Sequence, residues 1–187
     1  MGERIVIRDV EAALENIDQI DSVRRNHLIR YKYALSLIKS KNSVLDVACG
    51  SGYGSKMLAL HGCKVTSMDN SEEALRLCKR FNDHPNIQWK LGDINDLKSH
   101  INEPLDAIVS FETLEHLPSG QEKILRLFNE LVKDKGVIVT SIPLNHPDTK
   151  WHKKQFTWKE RDKLYASVFK KYEYPEVNKS LVVAWKN

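Results

Sequence analysis

The stretch Asp46-Val47-Ala48-Cys49-Gly50-Ser51-Gly52-Tyr53-Gly54 joins an acid to a run of small residues. Small side chains let backbone N–H groups approach a ligand, and a helix opening there favours a carboxylate or phosphate at its N-terminus. A tight strand-to-helix turn with no ligand uses the same residues. Asp69 follows Asp46 by 23 positions, near the roughly 20-residue interval at which an acid meets the two hydroxyls of a nucleoside ribose. Beside Asn70 it equally suits the cap of a following helix. Asp93, in LGDIND, is a third acid, fit to hold an adenine amino group or to shape a turn. Together the three describe a nucleoside pocket.

A second set has acid–base chemistry. Glu112, Glu115, His116, His146 and His152 are candidate general bases for a hydroxyl acceptor, and His116 and His152 are preferred because an imidazole titrates near pH 6.5. Each also fits a surface histidine at a helix end. Glu112-x-x-Glu115-His116 offers two carboxylates and an imidazole within one turn, an alternative ligand set for Mg²⁺ or Mn²⁺; the main expectation is no metal. Pro143 to Phe156 is a 14-residue connection without helical or strand period, long enough for an acceptor loop. His146, Trp151 and His152 of this connection are expected to face the acceptor, with Glu112 from the fourth strand's end a further substrate contact; Trp151 either stacks on a sugar or base or anchors the loop.

These residues need elements to hold them. SVLDVA from Ser43, KVTSMD from Lys64, NIQWKLGD, LDAIVSF and GVIVTSI from Gly136 read as strands, and the tail from Lys170 as two more around a turn near Asn178. Leu28, Tyr31, Leu35 and Ile38 recur at helical spacing over 22–39. Asn70 with Glu73, Ser119 with Glu122, and Thr157 with Glu160 have capping-box spacing, the last ahead of a helix to about Phe169. Strand and helix alternate, which predicts an α/β, doubly wound sheet, with ligands beyond the carboxyl ends of its strands. One domain is expected over 1–187, with a helical extension over 1–42 and the core over 43–187.

Composition bounds the function. The 187 residues are 41% hydrophobic and 29% charged with 8 Gly and 6 Pro, which excludes collagen-like and disordered classes. Three cysteines without a CxxC pair argue against a disulfide framework and fit a reducing compartment, so a cytoplasmic protein is expected. No leader, membrane span or lipid anchor is expected either; Val6 stands where a myristoylation signal wants Ser or Thr. Net charge is +4, but residues 150–171 hold eight Lys/Arg against Glu160 and Asp162. Such a stretch suits an anionic partner, nucleic acid included, or a solvated face.

LDVACGSGYGS, VTSMDNS, LGDIND, LDAIVSFETLEHL and GVIVTSIP resemble the successive motifs of the class I S-adenosylmethionine-dependent methyltransferases, over about residues 43–142. The resemblance implies a mostly parallel, seven-stranded Rossmann-like sheet with one antiparallel strand, and S-adenosylmethionine as cofactor. Asp46, Gly50 and Gly52 would flank its methionine part, Asp69 its ribose, and Asp93 with Ile94 its adenine. Ala48, Cys49, Ser51, Asn70 and Phe111 complete the implied cofactor-binding set. Ala48 replaces the first glycine of the family's turn. NHLIRYKYALSLIKSKNSVLD resembles the preceding helix of small methyltransferases of sugar and surface-polysaccharide modification, so Arg30 and Tyr31 are expected at the cofactor carboxylate; Tyr31 also lies on the apolar stripe and suits the core.

The expected reaction is methyl transfer to an oxygen of a small molecule or sugar. One rival comes from the small-RNA 3′-end ribose methyltransferases, metal-dependent enzymes that this chain resembles at Glu112–His116, although His152 departs from their H-x-F-x-W spacing. A non-catalytic cofactor-binding module is another. A nicotinamide-binding domain is the third, weakened because Ser55 stands where G-x-G-x-x-G needs glycine. The carboxyl end of the fourth strand lacks the (Asp/Asn/Ser)-Pro-Pro-(Tyr/Phe) signature of nucleobase amino methylation, making nucleic acid the lesser partner.

Overall fold

The computed structural model describes residues 5–144 and 152–186. Strands β1 (Ser43–Val47), β2 (Lys64–Asp69), β3 (Ile87–Leu91), β4 (Leu105–Ser110), β5 (Val132–Ser141), β6 (Tyr172–Glu173) and β7 (Leu181–Trp185) form a seven-stranded sheet in the order β3-β2-β1-β4-β5-β7-β6. The first five pair in parallel; β7 runs antiparallel to both its neighbours. The helices are α1 (Val10–Glu15), α2 (Ser22–Leu37), α3 (Tyr53–Leu60), α4 (Glu72–Phe81), α5 (Leu97–His100), α6 (Gln121–Leu131) and α7 (Trp158–Ala166).

Successive residues of a strand point to opposite faces, and the two hydrophobic cores divide accordingly. Val44, Ala107, Val109, Val137 and Val139 pack with Leu28, Tyr31, Met57 and Leu58 of α2 and α3. Leu45, Val47, Ile108 and Ile138 pack on the other face with Leu97, Ile124, Phe128 and Tyr165 of α5, α6 and α7. Because both faces are covered, the central strands are apolar throughout, the property that made them visible in the sequence.

Two of the three expected caps shift. Asp69 Oδ1 accepts from Ser71 N at 3.0 Å, which turns the chain so that Ser71, not Asn70, caps α4 by accepting from Ala74 N. Gly120, at φ +85, precedes α6 and makes no side-chain cap, so Ser119 has no such role. Thr157 and Glu160 form the full capping box of α7, although that helix stops at Ala166 rather than Phe169. Strand β5 starts at Val132 rather than Gly136, with a register shift opposite Leu105 and Ala107. Its exposed Lys133-Asp134-Lys135 gives no apolar signal.

Register brings the working edge together. Asp46 lies level with Ser67 and Val109, and Ser110 with Thr140, so the carboxyl ends of β1, β2, β4 and β5 open on one rim. Among the described residues, no helix is long and apolar enough to cross a membrane.

Candidate functional site

The turn after β1 is shaped by three left-handed residues, Ala48 (φ +59), Gly50 (φ +60) and Gly52 (φ +82). Alanine therefore occupies a conformation that glycine adopts without strain. A Cβ on Gly52 would meet Cys78 Sγ and the Trp89 ring at 2.8 Å, whereas one on Gly50 would meet nothing within 4 Å. Gly52 is thus needed for packing, and Gly50 leaves open space for a ligand. Asp69 braces the turn by accepting from Gly50 N at 2.9 Å, while Cys49 N donates to Met68 O and Cys78 Sγ to Gly50 O.

Asp46 sits beneath this turn, fully buried. Its carboxylate accepts from Tyr31 Oη at 3.0 Å and Ser55 Oγ at 2.6 Å. Burial raises its pKa to about 6, against these two hydrogen bonds and with a further push from the Asp69 charge. Asp46 and Tyr31 are therefore supports rather than solvent-facing contacts, and the Tyr31 hydroxyl is committed to Asp46. Phe111 joins them, its ring edge-on to Tyr31 at 4.7 Å between centroids.

Helix α2 contributes three residues from one face, His27, Arg30 and Tyr31, at the spacing that aligns side chains. Arg30 is buried; Nε donates to Ser180 Oγ at 3.2 Å and Nη2 pairs with Glu112 Oε1 at 3.1 Å. Its Nη1 has no partner among the described residues. His27 Nδ1 lies 2.8 Å from Tyr53 Oη, and burial, followed by the Arg30 charge, lowers the His27 pKa to about 4.

A cavity of about 230 Å³ opens over this rim, with Ala48, Asp69, Asn70, Ile94, Glu112 and His116 in its wall. Ile94 thus lies where an adenine would need an apolar surface. Asp93 does not line the cavity; its exposed carboxylate accepts from the backbone and side-chain nitrogens of Asn95, the turn-forming alternative. Ser51 is wholly buried and supports the turn from behind. A larger surface groove of about 520 Å³ beside α6 is walled by charges already paired, Lys98 with Glu130 and Arg126 with Glu122.

The rim beyond β4 carries a second group of titratable side chains. Glu112 has φ +51, and Ser141 Oγ both accepts from its N–H at 2.8 Å and donates to its carboxylate at 2.9 Å. Glu115 is 1% exposed and neither carboxylate oxygen has a hydrogen-bond partner among the described residues. Burial, with the Glu112 charge adding to it, raises its pKa to about 8; the nearby amides of Glu115 and Thr113 oppose this only in part. His116 and His152 stack edge-on at 5.1 Å. One ligand atom from each of Glu115, His116 and His152 lies within 4.8 Å of the others. The expected metal set is thereby altered: His152 joins Glu115 and His116, while Glu112 is engaged by Arg30 and Ser141. His146 and Trp151 lie outside the described residues.

His27, Tyr53, Ser55 and Ser141 escaped the sequence reading. Tyr53 and Ser55 sit in the glycine motif itself, where attention to backbone hid the side chains. His27 was legible only as a helical neighbour of Arg30; nothing local marks Ser141.

The residues fit S-adenosylmethionine. An unpartnered buried guanidinium nitrogen awaits an acceptor such as a carboxylate, Gly50 leaves open space on the turn, and the Asp69 oxygens keep lone pairs for ribose hydroxyls. Comparison with known proteins agrees. Residues 44–136 match a family model described as a methyltransferase domain. A ubiquinone biosynthesis O-methyltransferase of Coxiella burnetii is 37% identical over 116 residues, covering 60% of this chain and 49% of that protein. One from Chromobacterium violaceum is 27% identical over 135 residues, covering 71% and 56%. The chain thus spans about half the length of these curated relatives. The crystal structure of a methyltransferase from Methanosarcina mazei superposes with a TM-score of 0.61 at 19% identity, over 80% of this chain and 94% of that one. Turn, acid and strand order thus converge with these likenesses, and the chain belongs to the class I S-adenosylmethionine-dependent methyltransferases.

Proposed function

We propose that this domain methylates an oxygen of a small-molecule or sugar acceptor. The observation that carries the reading is the buried Glu115 carboxylate beside the His116–His152 pair at the cavity mouth. The relatives named as O-methyltransferases support an oxygen acceptor. S-Adenosylmethionine supplies a methyl group already activated by its sulfonium, so the protein's work is alignment, water exclusion and removal of one proton. His116, exposed at the mouth, takes the acceptor's hydroxyl proton as general base. Glu115, when ionised, stabilises the resulting imidazolium from below, and His152 holds the ring edge-on. Arg30 binds the cofactor carboxylate through Nη1, and Asp69 the ribose.

The test is calorimetry with S-adenosylhomocysteine followed by an acceptor panel of phenols and sugars, with S-adenosylhomocysteine release as readout. Binding followed by methyl ethers is expected. Binding without release on any acceptor would favour a non-catalytic module, and no binding would remove the whole reading.

A second reading is favoured by the orphaned Glu115 oxygens: one carboxylate and two imidazoles suit a divalent transition metal that polarises the acceptor hydroxyl. Under it, Mn²⁺ or Zn²⁺ raises the melting temperature of the wild type and not of Glu115→Gln, and excess EDTA stops turnover. Full turnover in EDTA would leave the metal-free base alone.

A further inference from the structure

The cofactor turn is held from two sides, and only one belongs to the family's motifs. Asp69 and Met68 hold the sheet side, at Gly50 and Cys49. The far side is held by Asn82, the residue that ends α4, which is 1% exposed. Its Nδ2 donates to Ser51 O at 2.9 Å and to Ile7 O at 3.1 Å. Ser51 Oγ completes the arrangement by donating to Ile5 O at 2.8 Å. Ile7 and Val10 are buried in the same core as Tyr31 and Tyr53, so the segment ahead of α1 is anchored rather than draped.

The chemistry requires an amide. An NH₂ group carries two hydrogens on one atom, and here each meets a carbonyl from a different part of the chain. A carboxylate of the same shape would oppose both carbonyls, and a hydroxyl serves one. Since a buried carbonyl left unpaired is destabilising, the turn and the segment favour each other's placement. Coupling of this kind is reciprocal: whatever fixes the turn also fixes the segment.

We propose that Asn82 is a positioning residue for cofactor binding, acting through Ser51, and that residues 5–9 form a strap whose docking tightens the turn. The proposal rests on cofactor binding alone and is independent of the acceptor reading. Asn82→Asp, studied in the full chain, should weaken S-adenosylhomocysteine binding by about tenfold to a hundredfold, the effect of losing one or two such bonds. Ile7→Ala, which loosens the strap but keeps the amide, should shift affinity in the same direction by a smaller factor, and it stands as the test if Asn82→Asp does not fold. Hydrogen exchange gives an independent readout: saturating S-adenosylhomocysteine should increase amide protection over 5–14 in the wild type. Unchanged affinity in the folded variants at a temperature well below unfolding, or protection over 5–14 indifferent to the ligand, would overturn the proposal and leave Asn82 a structural residue.

Discussion

The two halves of the rim differ in how their polar groups are satisfied. On the cofactor side, both Asp46 oxygens and both Asp69 oxygens accept hydrogen bonds, from Tyr31, Ser55, Gly50 and Ser71. On the side proposed for the acceptor, the Glu115 carboxylate is buried without such bonds among the described residues, and Glu112 adopts a left-handed backbone. The acids of the first half are paired before any ligand arrives, and its own unfavourable groups are Arg30 Nη1 and the left-handed Ala48. The second keeps groups in an unfavourable state, where a proton, a metal or an acceptor has most to change. Binding the common cofactor asks for a fixed geometry, whereas handling a proton asks for groups whose charge can change.

The largest break in this contrast should come from Gly54, because a Cβ there would lie 1.8 Å from Tyr31 Cζ. Gly54→Ala should displace the Tyr31 ring, uncouple Asp46, and cost about 3 kcal/mol or more, lowering the melting temperature by roughly 10 °C. Calorimetric unfolding checks this; an unshifted melt would mean that the cofactor side is not rigid. Next in size is Asp69→Ala, which removes both the ribose acceptor and the brace on Gly50. Affinity for S-adenosylhomocysteine should fall about tenfold to over a hundredfold, or roughly 1.5–3 kcal/mol, by titration calorimetry. Retained affinity would reduce Asp69 to a helix-capping role.

The smallest effect sharpens the contrast through pH. His27 has a folded pKa of about 4 against an ordinary value of 6.5, so between these the unfolded chain binds more protons than the folded one. Stability from this residue is therefore complete above about pH 6.5 and is lost as pH falls towards 4. His27→Gln should remove that slope, a relative gain for the variant of about 2 kcal/mol by about pH 5. Denaturant titrations from pH 7 to 4 that stay parallel for the two proteins would show that His27 is not held neutral by burial.

Legibility followed burial. The central strands and the glycine turn could be read because parallel strands covered on both faces are continuously apolar and end in small residues. Asp69 was visible by its interval from Asp46, and His116 and His152 by residue type alone. Residues that act across long sequence distances left no local mark. Ser141 reaches Glu112 across 29 positions and Ser180 reaches Arg30 across 150; Ser141 lies inside the GVIVTSIP stretch, but nothing local to either serine marks its partner. Ser55 was read as a missing glycine, whereas its hydroxyl is one of the two donors that make a buried Asp46 tolerable. Asp93 was marked by its position after the third strand, and its carboxylate accepts local hydrogen bonds from Asn95.

The amides of Lys153 and Lys154 both donate to the Glu115 carbonyl, at 2.9 and 3.0 Å. The chain that follows residue 151 is thereby riveted to the turn bearing His116, upstream of the point where Phe156 enters the core. Residues 152–154 and the turn at 113–116 are thus tied into one piece, which keeps the two imidazoles at their spacing when either segment shifts.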